Sequence, residues 1–240
     1  MDEKILQRLA ERSRSKQVFT YTDFLDEADL AIAMRQDASA TAWGGTEFAT
    51  RKIVRYGSDD VCYDEAFPLK IIKIRALGGK FTTPITHRDV LGAMMNLGIE
   101  RSKVGDIFAD ETSYVVAYDT IADYVVQSLN KVGKNFVETS FVDEVPNNFA
   151  PQTTEKNFTA DSCRLDTVIA RVFCMSREKA SQLIERELVK IDGRTTTKSS
   201  VILKQSQTVS VRGHGKFIFD GERGQSRKGK TYFAVELFCK

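Results

Sequence analysis

The sequence predicts an α+β protein in three parts, and three observations lead to that prediction. In the middle of the chain the apolar period alternates between about two and about 3.6, in the order β-α-β-β-α-β. The C-terminal third begins with two short amphipathic helical patterns and continues with strands, and the first 62 residues show helical spacing. We therefore expect a mainly helical region at 1–62, a central domain at 63–147, a linker at 148–157 and a C-terminal domain at 158–240.

The composition is that of a soluble globular protein. Of 240 residues, 42% are hydrophobic and 28% are charged, with only 4 Pro, which excludes disordered and fibrous classes. No apolar run approaches the roughly 18 residues that a membrane-spanning helix needs, and the N-terminus lacks the apolar core of a signal peptide. We expect a monomer without a membrane span, located in the cytoplasm.

The positive charge is concentrated in the C-terminal part. Residues 1–150 hold 18 Lys and Arg against 23 Asp and Glu, whereas residues 151–240 hold 17 against 10. The net charge of +7 on the second part is typical of a nucleic-acid-binding module. The four cysteines are scattered without a C-x-x-C pair, so the sequence predicts no metal site, no cofactor and no disulfide framework.

Two helices are predicted in the N-terminal region. Apolar residues at helical spacing begin at Ile5, and Thr22 is a candidate N-cap for a second helix that would bury Phe24 and Leu25. The run from Arg51 to Tyr56 fits either a strand or the end of a helix.

The central domain is predicted to be ferredoxin-like. The expected strands are 68–74, 107–108, 114–118 and 135–145, and the expected helices are 86–97 and 120–131. Thr86 and Asp89 have the spacing of a capping box, and Gly98 is placed to end that helix. This order is the split βαβ arrangement that RNA-recognition domains share. An aromatic-rich RNA-binding strand is missing, and Tyr114 and Tyr118 are the candidates left for base stacking.

The C-terminal domain opens with a helix pair at 161–193. Asp161 or Ser162 can cap the first helix, and Ser176 can cap the second. Alternation from Leu188 to Ile191 predicts a strand, and Asp192-Gly193 is a strong hairpin signal. Further strands are expected at 201–203, 208–211, 216–219 and 232–238, with a flexible basic loop at 221–230.

Basic residues around the helix pair predict an RNA-binding face, because a row of phosphates is the natural partner of a rigid row of cations. We expect a second RNA contact beside the helix ends of the central domain. The predicted RNA-binding residues are Arg164, Arg177, Lys179, Gln182, Lys190, Arg194, Arg212, Lys216, Arg227 and Lys228, with Arg88, Arg101 and Lys103 in the central domain.

The helix pair resembles the S-four-type RNA-binding domain, the αL module. The matching residues are Arg164-Leu165-Asp166, Ser176-Arg177, Lys179-Ala180, Leu183-Ile184, Val189-Lys190 and Asp192-Gly193. Glu187 stands where the family usually has Gly, so either that residue accepts a strained helix cap or the helix ends differently. Asp192 replaces the usual Asn and adds a negative charge beside the expected RNA surface.

Two further runs extend the resemblance to nearly the full chain, 86–107 and 211–217. Together with the helix pair they are similar to the YlmH family, also called RqcP. The resemblance implies a cytoplasmic, non-catalytic factor that binds rRNA and tRNA on the large ribosomal subunit. The family acts in ribosome-associated quality control of stalled peptidyl-tRNA complexes and is also linked to cell division.

The sequence leaves two other classes of function open: an RNA-modifying enzyme and a cell-division scaffold. His87-Arg88-Asp89 has the letters of a kinase catalytic loop, yet Met94 stands where the required Asn would be. Arg164-Leu165-Asp166 is similar to the aspartate motif of pseudouridine synthases, but it lies inside the RNA-binding module. His214 has no partner at a recognisable catalytic spacing and fits a turn residue near RNA. We expect no catalytic residues.

Overall fold

The computed structural model describes residues 2–58, 66–79, 82–225 and 231–239. They form two compact units, Met1–Ala150 and Pro151–Lys240. The first unit contains the N-terminal region and the central domain, and the second contains the C-terminal domain. Among the described residues no helix is long and apolar enough to cross a membrane.

The N-terminal region has the two predicted helices and also a three-stranded antiparallel sheet. The elements are α1 Glu3–Lys16, β1 Thr20–Tyr21, α2 Glu27–Ala33, β2 Thr41–Trp43 and β3 Ile53–Tyr56. The order along this sheet is β1-β3-β2. In the 51–56 run, which fitted a strand or a helix end, residues 53–56 form strand β3.

The predicted cap of α2 is wrong. Asp26, not Thr22, caps this helix, because its carboxylate accepts the amide of Asp29 at 3.0 Å. Thr22 is buried, and its hydroxyl accepts the amide of Val54 and donates to the carbonyl of Asp23. Thr22 therefore joins the sheet to the preceding loop.

The central domain has the predicted β-α-β-β-α-β order with one added strand. The elements are β4 Leu69–Leu77, α3 His87–Asn96, β5 Val104–Phe108, β6 Thr112–Tyr118, α4 Asp119–Ser128, β7 Lys131–Val132 and β8 Asn135–Val142. The antiparallel sheet has the order β5-β6-β4-β8-β7, which is the ferredoxin-like arrangement with β7 appended beside β8.

Local sequence signals explain the limits of α3. Thr86 and Asp89 form the predicted capping box, in which each side chain binds the backbone amide of the other. At the other end Gly98 has φ +79°, and the amides of Gly98 and Ile99 bond back to the carbonyls of Met95 and Met94. This is a Schellman motif with glycine in the left-handed position, as the sequence predicted.

The two faces of the central sheet have different partners. Helices α3 and α4 cover the face of Ile72, Ile74 and Val115, which forms one core cluster. Phe24 and Ile53 of the N-terminal region cover part of the opposite face.

Tyr114 and Tyr118, the candidates for base stacking, lie on that covered part and are 9% and 8% exposed. Tyr114 packs edge-on against Phe149, and Tyr118 packs edge-on against Phe24. These two rings are part of the core and are not open to bases.

The described residues of the C-terminal unit form a six-stranded antiparallel sheet that packs against two helices. The elements are β9 Thr153–Ala160, α5 Leu165–Val172, α6 Arg177–Glu185, β10 Val189–Ile191, β11 Arg194–Thr195, β12 Gln207–Val211, β13 Gly215–Gln225 and β14 Thr231–Phe238. The strand order is β11-β10-β12-β13-β14-β9. One core cluster joins both helices to the sheet through residues such as Leu165, Ile169, Ile184 and Phe217.

Three expectations about the C-terminal part need correction. Residues 153–157 of the predicted linker are the first half of β9, which pairs with β14 along its full length. Residues 201–203 form only an isolated bridge between Ile202 and Arg164. Residues 221–225 of the predicted loop continue β13 through two register shifts, and residues 226–230 lie outside the described part.

Candidate RNA-binding surface

The start of each helix in the C-terminal unit has its own stabilising contact. Ser176 caps α6 as predicted, because its Oγ accepts the amide of Lys179 at 3.2 Å. Helix α5 begins at Leu165, later than a cap at Asp161 or Ser162 would place it, and its N-cap residue Arg164 makes no side-chain cap bond. The amides of Leu165 and Asp166 instead donate to the carbonyls of Val201 and Ser199.

Asp166 brings two of the predicted RNA-binding arginines together. Arg164 donates through Nε to Oδ1 at 3.2 Å and through Nη2 to Oδ2 at 3.0 Å. Arg177, on the other helix, donates through Nε to Oδ2 at 3.0 Å. The amide and hydroxyl of Thr167 add two bonds to Oδ1 at 2.7 and 3.1 Å. Both arginines are therefore fixed at the helix starts by one carboxylate.

The exposure of these side chains differs in a way that suits binding. The Asp166 side chain is 3% exposed, whereas those of Arg164 and Arg177 are 34% and 57% exposed. Burial alone would raise the pKa of Asp166, but the hydrogen bonds from Arg164, Arg177 and Thr167 outweigh it and lower the pKa to about 2. At neutral pH the site is a buried anion that positions two accessible cations.

The remaining predicted residues of α6 are exposed. Lys179 follows Arg177 in the first turn, and Gln182 lies one turn later at a spacing of three, which puts the two on neighbouring parts of one helix face. Lys198, which was not among the predicted residues, is exposed, and its neighbour Ser199 accepts the amide of Asp166 beside this helix start. Periodicity could not reveal Lys198, because it lies in a loop between strands.

Lys190 and Lys216 do not join this group. Lys190 pairs across strands with Ser210, which pairs in turn with Lys216, so all three side chains are on one face of the sheet. That face is opposite to the one formed by Val189 and Val209, which packs into the core with the helices. The predicted single basic face is therefore two surfaces, and the Lys190 surface lies across the sheet from the helices.

The other predicted residues of this unit are at strand ends. Arg194 is exposed on the edge strand β11, and Arg212 is exposed in the turn that joins β12 to β13. Arg227 and Lys228 lie outside the described residues. The Asp192-Gly193 hairpin forms as predicted, and the amide of Thr208 and Nε2 of Gln207 hold the Asp192 carboxylate at 2.9 and 2.8 Å. These bonds partly offset the negative charge that Asp192 adds.

In the central domain two of the three predicted residues serve the fold. Arg101 donates through Nη1 to the carbonyls of Val104 and Gly105. Lys103 forms an ion pair with Asp23 and lies over the ring of Tyr118. Arg88 is exposed in the first turn of α3. The structure thus does not assemble the three into one basic patch.

The residues of the motifs that are similar to catalytic sequences make contacts within the fold. Asp89 of His87-Arg88-Asp89 is engaged in the capping box, and Asp166 is buried and accepts hydrogen bonds from two arginines. His214 lies in the turn between β12 and β13, with Nδ1 3.3 Å from the carbonyl of Arg212. Among the described residues no three His, Cys, Asp or Glu side chains converge on a possible metal position.

Comparisons with known proteins match two separate segments of the chain to family models. Residues 63–144 match the family model described as "Putative RNA-binding domain in YlmH", and residues 163–209 match the model of the S4 domain, the S-four-type module. Ribosome-associated protein quality control protein P2 of Bacillus subtilis (strain 168) is 31% identical over 223 residues, which are 90% of this chain and 86% of that protein.

One similar solved structure is that of cell division protein ylmH from Streptococcus pneumoniae. It has a TM-score of 0.47 and 19% sequence identity, and the match covers 60% of this chain and 89% of that chain.

Proposed function

The chain belongs to the YlmH family, and on that premise we propose that it is a non-catalytic RNA-binding factor of ribosome-associated quality control. Its target is the large ribosomal subunit that still carries peptidyl-tRNA, and it acts in the cytoplasm as a monomer. The Bacillus subtilis relative is named for ribosome-associated quality control, and two RNA-binding family models match this chain.

The observation that carries the proposal is the arginine pair held by Asp166. Fixing a long side chain before binding removes an entropy cost that binding would otherwise incur. Among the described residues Arg177 bonds to Asp166 through Nε, and its side chain is 57% exposed, so we infer that its two terminal amino groups are available to a phosphate. Lys179, two residues after Arg177 in the first turn of α6, adds a third cation.

Two contacts on one chain would favour a target that presents two RNAs. The C-terminal unit binds rRNA through the helix-start cations, and the central domain contacts the tRNA. Because the two domains are covalently joined, the second contact forms at a high effective concentration once the first has formed. Subunits that carry peptidyl-tRNA should therefore bind more tightly than vacant ones.

The test is co-sedimentation of the full chain with large subunits that carry peptidyl-tRNA or lack it, at one fixed salt concentration. We expect tighter binding to the loaded subunits and loss of binding in the Arg164→Ala, Arg177→Ala double variant. Equal binding to both kinds of subunit would leave an RNA-binding protein without the quality-control role. Altered nucleosides in the recovered RNA would instead indicate a modifying enzyme, and partners that survive ribonuclease treatment would indicate a scaffold.

A further inference from the structure

The face of the central sheet that lies away from α3 and α4 is covered at one end and open at the other. In the covered end Tyr114 and Tyr118 pack against the N-terminal region and Phe149. The open end holds Phe136 at 65% exposure beside Leu77 at 47%. Large apolar side chains exposed as a pair on a sheet are a candidate contact surface.

The strand register defines this open end. Leu77 of β4 pairs with Phe136 of β8, which also pairs with Lys131 of β7. Directly paired residues share one face of a sheet. The next two rows along the same face pair Arg75 with Glu138 and Lys73 with Ser140. We refer to these seven residues as the Phe136 patch: Lys73, Arg75, Leu77, Lys131, Phe136, Glu138 and Ser140.

The charges of the Phe136 patch suit an anionic partner. Three of its members are cations and one is an anion, and that anion, Glu138, already forms an ion pair with Arg75. The Lys131 ammonium lies 6.0 Å from the centre of the Phe136 ring. A cleft of about 260 Å³ lies over the next two rows of the patch and is lined by Lys73, Arg75, Glu138 and Ser140. An exposed ring, flanking cations and a polar cleft together match a stacked base with its phosphates.

We propose that the Phe136 patch binds single-stranded RNA, with one unpaired base stacked on Phe136 and neighbouring phosphates held by Lys131 and Lys73. The proposal rests on the RNA-binding function proposed above and names the surface through which the central domain takes part in it. Stacking on an aromatic ring tolerates any base, because every base has a π-face. The patch therefore selects unpaired RNA rather than a particular sequence.

The chain provides a matched control for this surface. Phe141 is on the same strand as Phe136 and is also exposed, at 41%, but an odd number of positions separates them, so it points to the opposite face. Removal of either ring takes away the same chemical group. Only removal of Phe136 affects the proposed stacking site.

The experiment measures binding of the full chain to a short fluorescently labelled single-stranded RNA by anisotropy. Loss of one stacked base should weaken binding of Phe136→Ala by about 5-fold to about 100-fold. Phe136→Tyr should keep wild-type affinity, since the ring remains, and Phe141→Ala should match the wild type. In Lys73→Ala and Lys131→Ala the slope of log K against log salt should fall by about 0.7 each. Thermal unfolding of each variant checks that the fold is intact.

The outcomes separate this proposal from the proposed function. Unchanged single-strand binding in Phe136→Ala, together with intact binding to large subunits, would overturn the patch and leave the function standing. Weaker subunit binding in Phe136→Ala with unchanged affinity for the RNA oligonucleotide would assign the patch to a protein partner and overturn the proposal. If the wild type bound neither the oligonucleotide nor the subunits, both would fall.

Discussion

Arg177 Nε donates to Asp166 Oδ2 at 3.0 Å, and this bond between residues eleven positions apart connects the starts of two helices. The same carboxylate also holds Arg164. A buried anion thus determines where two exposed cations stand. We therefore expect the stability of the C-terminal unit and its proposed RNA binding to depend on the same carboxylate.

The first prediction is that Asp166→Asn lowers both stability and RNA affinity. The amide cannot accept five hydrogen bonds, and the two arginines lose the charge that fixes them. Hydrogen bonds to charged groups contribute about 1.5–3 kcal/mol, so we expect the free energy of unfolding to fall by about 2 kcal/mol. Thermal unfolding and RNA titration measure the two effects. Asp161→Asn, the same change at an exposed site just before α5, is the control and should change stability by less than about 0.5 kcal/mol.

The second prediction concerns the free energy of unfolding at low pH. The pKa of Asp166 is about 2 in the folded chain and near 3.9 when unfolded, so between these values the unfolded chain binds more protons. The stability that the carboxylate contributes is complete above about pH 4 and is lost as the pH falls toward 2. The wild type should therefore lose about 2 kcal/mol more than Asp166→Asn across this range. Unfolding free energies of both proteins at several pH values, with an NMR titration of the Asp166 carboxyl, provide the check. Parallel curves for the two proteins would contradict it.

The third prediction separates binding from folding on α6. Lys179 is exposed and only its amide is used in the helix cap, so Lys179→Ala should weaken RNA binding and leave stability within about 0.5 kcal/mol. Leu183 is 9% exposed and part of the core, so Leu183→Ala should lower the free energy of unfolding by about 2–5 kcal/mol. The salt dependence of RNA binding should fall by about 0.9 in slope for Lys179→Ala. Equal losses of melting temperature in the two variants would show that Lys179 supports the fold.

Signals that act over a few residues were predicted correctly from the sequence. The capping box at Thr86, the glycine end at Gly98, the Ser176 cap and the Asp192-Gly193 hairpin are all present. Each depends on a backbone requirement that neighbouring residues meet by themselves. The β-α-β-β-α-β order of the central domain follows from the same local periodicity. That order correctly predicted the ferredoxin-like arrangement of strands β4, β5, β6 and β8.

Features that depend on tertiary contacts were missed. Strand β9 is an edge strand in which four of the first five side chains are exposed, so its polar sequence looks like a linker while its backbone pairs with β14. Tyr114 and Tyr118 are buried because the N-terminal region covers their face, which no pattern within 63–147 could indicate. The link between Asp166 and Arg177 was hidden for the same reason, since it crosses from one helix to another.

The single basic face predicted from composition included residues that lie on two different surfaces. Lys190 lies between buried Val189 and half-buried Ile191, and this alternation already places it on the outer face of its strand. The helices pack on the inner face, so Lys190 and Arg177 cannot share one surface. Sequence identified the basic residues, whereas only the packing of helices on the sheet could divide them.

The last prediction tests the helix end at which this chain departs from the usual S-four-type pattern. Of the two alternatives for Glu187, the structure has the strained cap. The residue is left-handed with φ +59°, and the amides of Glu187 and Leu188 bond back to the carbonyls of Ile184 and Leu183. For a residue with a side chain, the steric strain of the left-handed conformation lowers the free energy of unfolding by about 1–2 kcal/mol. Glycine avoids this strain, but its greater conformational freedom in the unfolded chain lowers the free energy of unfolding by about 0.4–1 kcal/mol.

Glu187→Gly should therefore stabilise α6 by about 0.5–1 kcal/mol. The opposite change, Gly98→Ala, is the matched control, because Gly98 holds the same cap position on α3 and an added methyl group would meet nothing within 4 Å. That variant should destabilise α3 by about 1 kcal/mol through the backbone alone. Hydrogen exchange read separately at the amides of α6 and α3 measures both changes. Faster exchange in α6 of Glu187→Gly would mean that the Glu187 side chain contributes more to the fold than its backbone strain costs.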